Sequence, residues 1–80
     1  MMRITETAKQ MGATPDEIRY FEKKGYIRSH WRRLNKRRVR EYSGAEVRKI
    51  ELIVKYRRQG FEHDVAYRKA LEEMERPRLV

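Results

Sequence analysis

Arg28, Arg32, Arg33, Lys36, Arg37, Arg38 and Arg40 put seven cationic side chains within thirteen residues, and no acid interrupts them. Such a run repels itself unless a polyanion neutralises it. A guanidinium grips phosphate through parallel N–H donors, so an arginine-dominated ribbon suits a phosphodiester backbone. The chemistry on offer is binding. His30 and His63 are far apart, His63-Asp64 lacks metal-ligand spacing and no third ligand accompanies them, so surface histidine is the default for each. The chain has no cysteine, which excludes disulfides, thiolate zinc sites and a cysteine nucleophile. No Ser/His/Asp set, glycine-rich phosphate loop or inward carboxylate pair stands out. No catalytic residue, metal or cofactor is expected, and the chain is not read as an enzyme.

The charge is unevenly spread. Residues 1–42 carry a net +7, and residues 43–80 a net +2. The first half is therefore expected to hold the polyanion-binding surface and the second half to support it. Eighty residues make one domain at most, with a small core. The first residues, Met1-Met2-Arg3-Ile4-Thr5-Glu6, lack the apolar stretch of a signal peptide, and no apolar run reaches membrane-spanning length. A cytoplasmic, nucleoid-associated protein without a membrane partner fits these features.

Four helices can be read from their punctuation. The first follows Ile4, with Thr5 as its expected N-cap, Ala8 and Met11 inward, and Gly12 as its end. Thr14 caps the second, Pro15 suits its first position, and Glu17 completes a capping box. Ile18 and Phe21 share one face of it, and Gly25 stops it. Two short helices joined by a tight glycine turn make a helix-turn-helix pattern. The helical period is lost over residues 26–42. Leu34-Asn35-Lys36-Arg37 is the expected turn of a two-stranded ribbon, or wing. Arg38, Arg40 and Tyr42 share one face of its second strand, opposite Val39 and Glu41. A second capping box, Ser43-Gly44-Ala45-Glu46, opens a longer helix with Val47, Ile50, Ile53, Val54 and Tyr56 on its apolar stripe. Gly60 ends it. Phe61 begins a fourth helix carrying Val65, Ala66, Ala70, Leu71 and Met74, which Pro77 closes. The expected fold is mainly α, a winged helix-turn-helix with a short two-stranded β wing and two supporting helices. The helix-turn-helix covers about 5–25, the wing about 26–42 and the helix pair about 43–76.

The stretch Ile18-Arg19-Tyr20-Phe21-Glu22-Lys23-Lys24-Gly25-Tyr26-Ile27 resembles the recognition-helix motif of the MerR family of bacterial transcription regulators. Ile4, Ala8 and Gly12 are similar to the family's first helix, Arg40-Glu41-Tyr42 to its Arg-x-Tyr at the wing's end, and Gly60-Phe61 to the Gly-Phe pair between its supporting helices. The resemblance spans residues 4 to 75. It implies double-stranded DNA as partner, with RNA polymerase or a second copy on DNA as further candidates. Phe21 stands where a second tyrosine is commoner. Family regulators usually continue into a dimerising helix and a sensor domain, and the sequence as given ends at Val80. A minimal member, an excisionase-like relative or a trimmed domain would each read this way.

The resemblance assigns Arg19 and Tyr20 to the family's backbone-contacting pair and Arg40 to its DNA-facing wing arginine. Lys23 lies one turn beyond Arg19, where a further phosphate contact is possible. Thr14, Asp16 and Glu17 occupy the helix start that would face the major groove. Capping explains Glu17 best, although a carboxylate can also accept from cytosine N4. Arg38 and Tyr42 share Arg40's strand face and are assigned to the binding surface. Arg32, Arg33, Lys36 and Arg37 can reach flanking backbone or the minor groove, where arginine reads width. Trp31 is expected to pack against the helix base, with a wedge near DNA as its second reading. The leading function is sequence-specific DNA binding in transcription regulation. The alternative is an excisionase-like or architectural DNA-bending factor. A small RNA- or ribosome-binding protein ranks lower, because Phe21, Tyr56 and Phe61 fall at core positions rather than on an exposed platform. With no helix long enough for a coiled coil, the chain is expected to be a monomer without DNA.

Overall fold

The computed structural model describes residues 2–76 and carries the mainly α, winged helix-turn-helix architecture expected, with four helices and a small antiparallel sheet. Strand β1 (Met2–Arg3) leads directly into helix α1 (Ile4–Met11), whose N-cap is Arg3 and which has no side-chain cap. Thr5 is therefore not the cap expected of it. The reason is tertiary: Met2 pairs with Tyr42 and Arg3 with Glu41, so sheet pairing sets where the helix starts. Thr7, with 0% exposure, turns its hydroxyl back to donate to the Arg3 carbonyl at 2.9 Å.

Gly12 ends α1 at φ 66°, a conformation that disfavours a side chain, and the Ala13 N–H returns to the Ala8 carbonyl at 3.0 Å. The end of the Arg58 side chain also lies beside Gly12 and would have to shift to admit a side chain there. A Cβ there would meet Arg58 Nη2 at 2.7 Å. That guanidinium donates to the Gly12 and Met11 carbonyls at 2.5 and 3.2 Å, capping α1 from the end of α3 (Gly44–Arg58). Helix α2 (Pro15–Lys23) starts as its sequence dictates. Thr14 Oγ1 accepts from the Glu17 N–H at 3.2 Å, and Glu17 Oε1 accepts from the Thr14 N–H at 3.3 Å. Ile18 and Phe21 then bury completely, each contributing about 1.5–3 kcal/mol by transfer from water.

Strands β2 (His30–Leu34) and β3 (Arg37–Tyr42) form the wing, with Trp31 opposite Arg40 and Arg33 opposite Arg38. Asn35 takes φ 56° in the turn, the left-handed geometry that asparagine tolerates. The ribbon has a third strand that the sequence did not reveal, since β1 pairs with the other edge of β3 to give the order β1-β3-β2. Two residues are too few to display a period of two.

Ser43 caps α3 by accepting from the Glu46 N–H at 3.4 Å, but Glu46 pairs with Lys49 at 3.3 Å. The second capping box is thus present in its Ser43 half. Ile50, Leu52, Ile53 and Val54 are all buried in α3, more than one apolar stripe supplies, because the helix packs against α4 (His63–Glu75) as well as against α1 and β3. Ala66 and Ala70, both at 0% exposure, let α4 lie close. Helix α4 begins at His63, two residues after the expected Phe61. Phe61 instead packs edge-on against Tyr56, with centroids 6.0 Å apart. Val65 and Leu71 are half-buried and Met74 is exposed, so the expected stripe is core only at its alanines. Pro77 lies outside the described residues.

Candidate nucleic-acid interface

Burying Ile18 and Phe21 leaves Asp16, Glu17, Arg19, Tyr20 and Lys23 exposed on α2, with Lys24 exposed at its C-cap. Thr14 and Glu17 are exposed but engaged with each other at the cap. Asp16 is bonded to Arg19 at 3.0 Å, with side chains 92% and 56% exposed, so the pair is largely solvated and contributes little to stability. Tyr20 is 37% exposed, and its ring leans on that of His63 at 4.6 Å. His63 is thus more than a surface histidine. Burial, with the Arg57 charge adding to it, holds its pKa below the usual histidine value.

The wing answers α2 across a cleft of about 490 Å³, lined by Arg19 from the helix and by Arg3, Trp31, Arg38 and Arg40 from the sheet. A smaller adjoining recess is lined by Arg19, Glu22, Lys23 and Arg40. Directly paired residues share a sheet face, so Trp31, Arg33, Arg38 and Arg40 stand together, while Arg32 and Glu41 lie on the other face. Arg33 and Arg38 are a like-charge pair directly across the ladder, an arrangement costing a few tenths of a kcal/mol or more. A phosphate placed there would relieve it. Arg32 reaches the buried Glu41 at 3.7 Å. Lys36 and Arg37 are exposed at the wing tip.

Two expectations fail here. Trp31 does not pack against the helix base; it is 53% exposed on the wing, with the Arg40 and Arg38 guanidiniums 4.9 and 5.1 Å from its ring. The helix base is already filled by Phe21, Ile27 and Tyr42. Tyr42, assigned to the binding surface, has 0% exposure and no access to a ligand. Strand alternation placed it beside Arg38 and Arg40, but the sheet end where it sits is covered by the core. Its hydroxyl donates to Glu22 Oε2 at 3.3 Å. Burial first, and then the Glu22 charge, push its pKa up to about 12.

Glu22 is the residue that sequence reasoning missed. Its carboxylate, half-buried on α2, accepts from Arg40 Nη1 at 2.9 Å, from the Tyr42 hydroxyl and from the Ser29 hydroxyl. This one acid locks the helix to the wing and sets where Arg40 stands. Glu22 is visible in the motif around Phe21, but its partners lie 7 to 20 residues away, beyond any local spacing rule.

Among the described residues no group of three or more His, Asp or Glu could hold a metal ion, and no helix is long and apolar enough to cross a membrane. Residues 2–72 match the family model described as MerR HTH family regulatory protein. A search of curated proteins found no match.

Proposed function

Because this chain belongs to the MerR HTH family of regulatory proteins, a family of DNA-binding transcription regulators, we propose that it acts as a sequence-specific regulator of transcription in the cytoplasm. In this reading α2 enters the major groove with its start, Thr14 and Glu17, toward base edges. Arg19, Tyr20 and Lys23 take phosphates along its exposed side. Arg33, Lys36, Arg37 and Arg38 grip the flanking backbone from the wing, and Arg32 reaches the same backbone from the reverse face. Arg40 contributes from a position held by Glu22. Tyr42 has no part in the contact.

The observation that carries this reading is the shared cleft. Arg19 from the helix and Arg38 and Arg40 from the wing converge on one space, with Arg3 beside them. Arg19 and Arg40 each hold one carboxylate, Asp16 and Glu22, but no acid among the described residues pairs with Arg33, Arg37 or Arg38. This uncompensated charge calls for an anion with repeated charges, and duplex DNA presents one per phosphate. The carboxylates of Asp16 and Glu17 at the helix start repel phosphate. They suit a groove position where base edges, not backbone, are met.

Footprinting against genomic fragments identifies the site, and titrations of that duplex at several salt concentrations test the mechanism. With about six phosphates neutralised, log K falls against log salt with a slope of roughly −5. Arg38→Ala weakens binding to all sequences alike and lowers the slope by about one. A slope near zero for the parent protein refutes the reading.

A further inference from the structure

Trp31 is the part of the wing that the charge argument leaves unused. It is the chain's single tryptophan and stands more than half exposed. An indole offers roughly 150–250 Å² for burial, and here the protein covers under half of the side chain. Two arginines surround it, of which Arg40 is also held by Glu22. Arg40 is its direct cross-strand partner, Arg38 is one position further along the same face, and both guanidiniums sit over the ring. The indole also lines the cleft that Arg19 enters from α2, so it lies within the proposed interface and not at its margin.

A phosphodiester drawn to Arg38 and Arg40 brings its sugars and base edges with it. The group that meets them between those two arginines is the indole. Excluding water there also strengthens the attraction between each guanidinium and the π face. We propose that Trp31 is a DNA-contacting residue whose indole packs on deoxyribose and base edges of the duplex between the phosphates held by Arg38 and Arg40. The proposal rests on the DNA-binding reading above and adds a contact that charge does not supply. Duplex is favoured over single-stranded RNA because single strands are held by several aromatics in succession. The other exposed aromatic ring, Tyr20, leans on His63 and does not extend such a platform.

The single tryptophan makes the test direct. Binding of the full chain to a labelled DNA duplex is followed by anisotropy, and intrinsic indole emission is followed with the same duplex unlabelled. A single-stranded RNA of the same sequence runs in parallel. The expected result is quenched, blue-shifted emission with the anisotropy midpoint. Trp31→Ala then weakens duplex binding about tenfold, the loss of one aromatic contact, with the salt slope unchanged because no phosphate contact is lost. Trp31→Phe recovers most of the affinity. Unchanged emission at saturating duplex overturns the proposal, as does a Trp31→Ala variant that binds like the parent or an effect seen with RNA alone. A parent that binds no duplex by anisotropy defeats the DNA-binding reading and this proposal together. A parent that binds with an indifferent Trp31 defeats this proposal alone.

Discussion

Replacing Glu22 with alanine removes the acceptor on which α2 and the wing meet. Three donors lose their partner: Arg40 Nη1 at 2.9 Å, the Tyr42 hydroxyl at 3.3 Å and the Ser29 hydroxyl. A charge-assisted hydrogen bond contributes about 1.5–3 kcal/mol. Arg40 and Glu22 are 34% and 21% exposed, so solvent screening places their pair near the lower end of that range. Tyr42 has no exposed surface from which to recruit water, and its orphaned hydroxyl costs about 1–2 kcal/mol more. The expected loss is about 3 kcal/mol, or a Tm lower by roughly 15 °C for a chain of this size. Glu22→Gln keeps a neutral acceptor and loses about half as much. Thermal and urea unfolding followed by circular dichroism measure both variants. Arg40→Ala and the double variant complete a cycle, in which a coupling of about 1 kcal/mol is expected between the two side chains. A Glu22→Ala protein that melts with the parent, or a cycle additive to within ~0.5 kcal/mol, would show that the wing is held by its sheet alone.

Three other outcomes follow from particular residues. Thr14→Ala removes the cap of α2 and lowers unfolding free energy by about 1 kcal/mol in a urea titration, whereas Thr14→Ser changes it little. Tyr42 keeps its proton to about pH 12 in the folded chain against an ordinary value of 10.0. Its raised pKa therefore supplies stability that is whole below pH 10 and is lost as pH climbs from there to about 12. The loss is roughly 2–3 kcal/mol, and urea titrations at stepped alkaline pH should show a slope that Tyr42→Phe lacks. Sedimentation of the free 80-residue chain should give a monomer that doubles only on a footprinted site. A tight dimer without DNA would make Val65, Leu71 and Met74 of α4 an interface.

Local codes were legible where the deciding contact spans a few residues. The Thr14–Glu17 box, Pro15 and Gly12 marked the helix-turn-helix because each acts within four positions along the backbone. Asn35 marked the wing turn because its left-handed φ is a local preference. Ile18 and Phe21 marked the buried face of α2 because helical spacing alone brings them together. The basic run from Arg28 to Arg40 set the sign of the surface, since charge adds up whatever the fold.

The tertiary structure decided what those elements do to one another. Whether Trp31 was core or surface depended on which side chains fill the core beneath the helix, and Phe21, Ile27 and Tyr42 do. Tyr42 alternates correctly with Arg38 and Arg40, yet it is buried because β1 pairs alongside it and helices cover that end of β3. Arg58 caps α1 from 46 residues away, and Glu22 joins Arg40 across 18. No periodicity encodes such pairs, because each requires the chain to have folded before the partners are neighbours. Sequence by itself therefore determined the helices, the turns and the excess of positive charge. Packing determined which of the charged and aromatic side chains remain free to meet a polyanion.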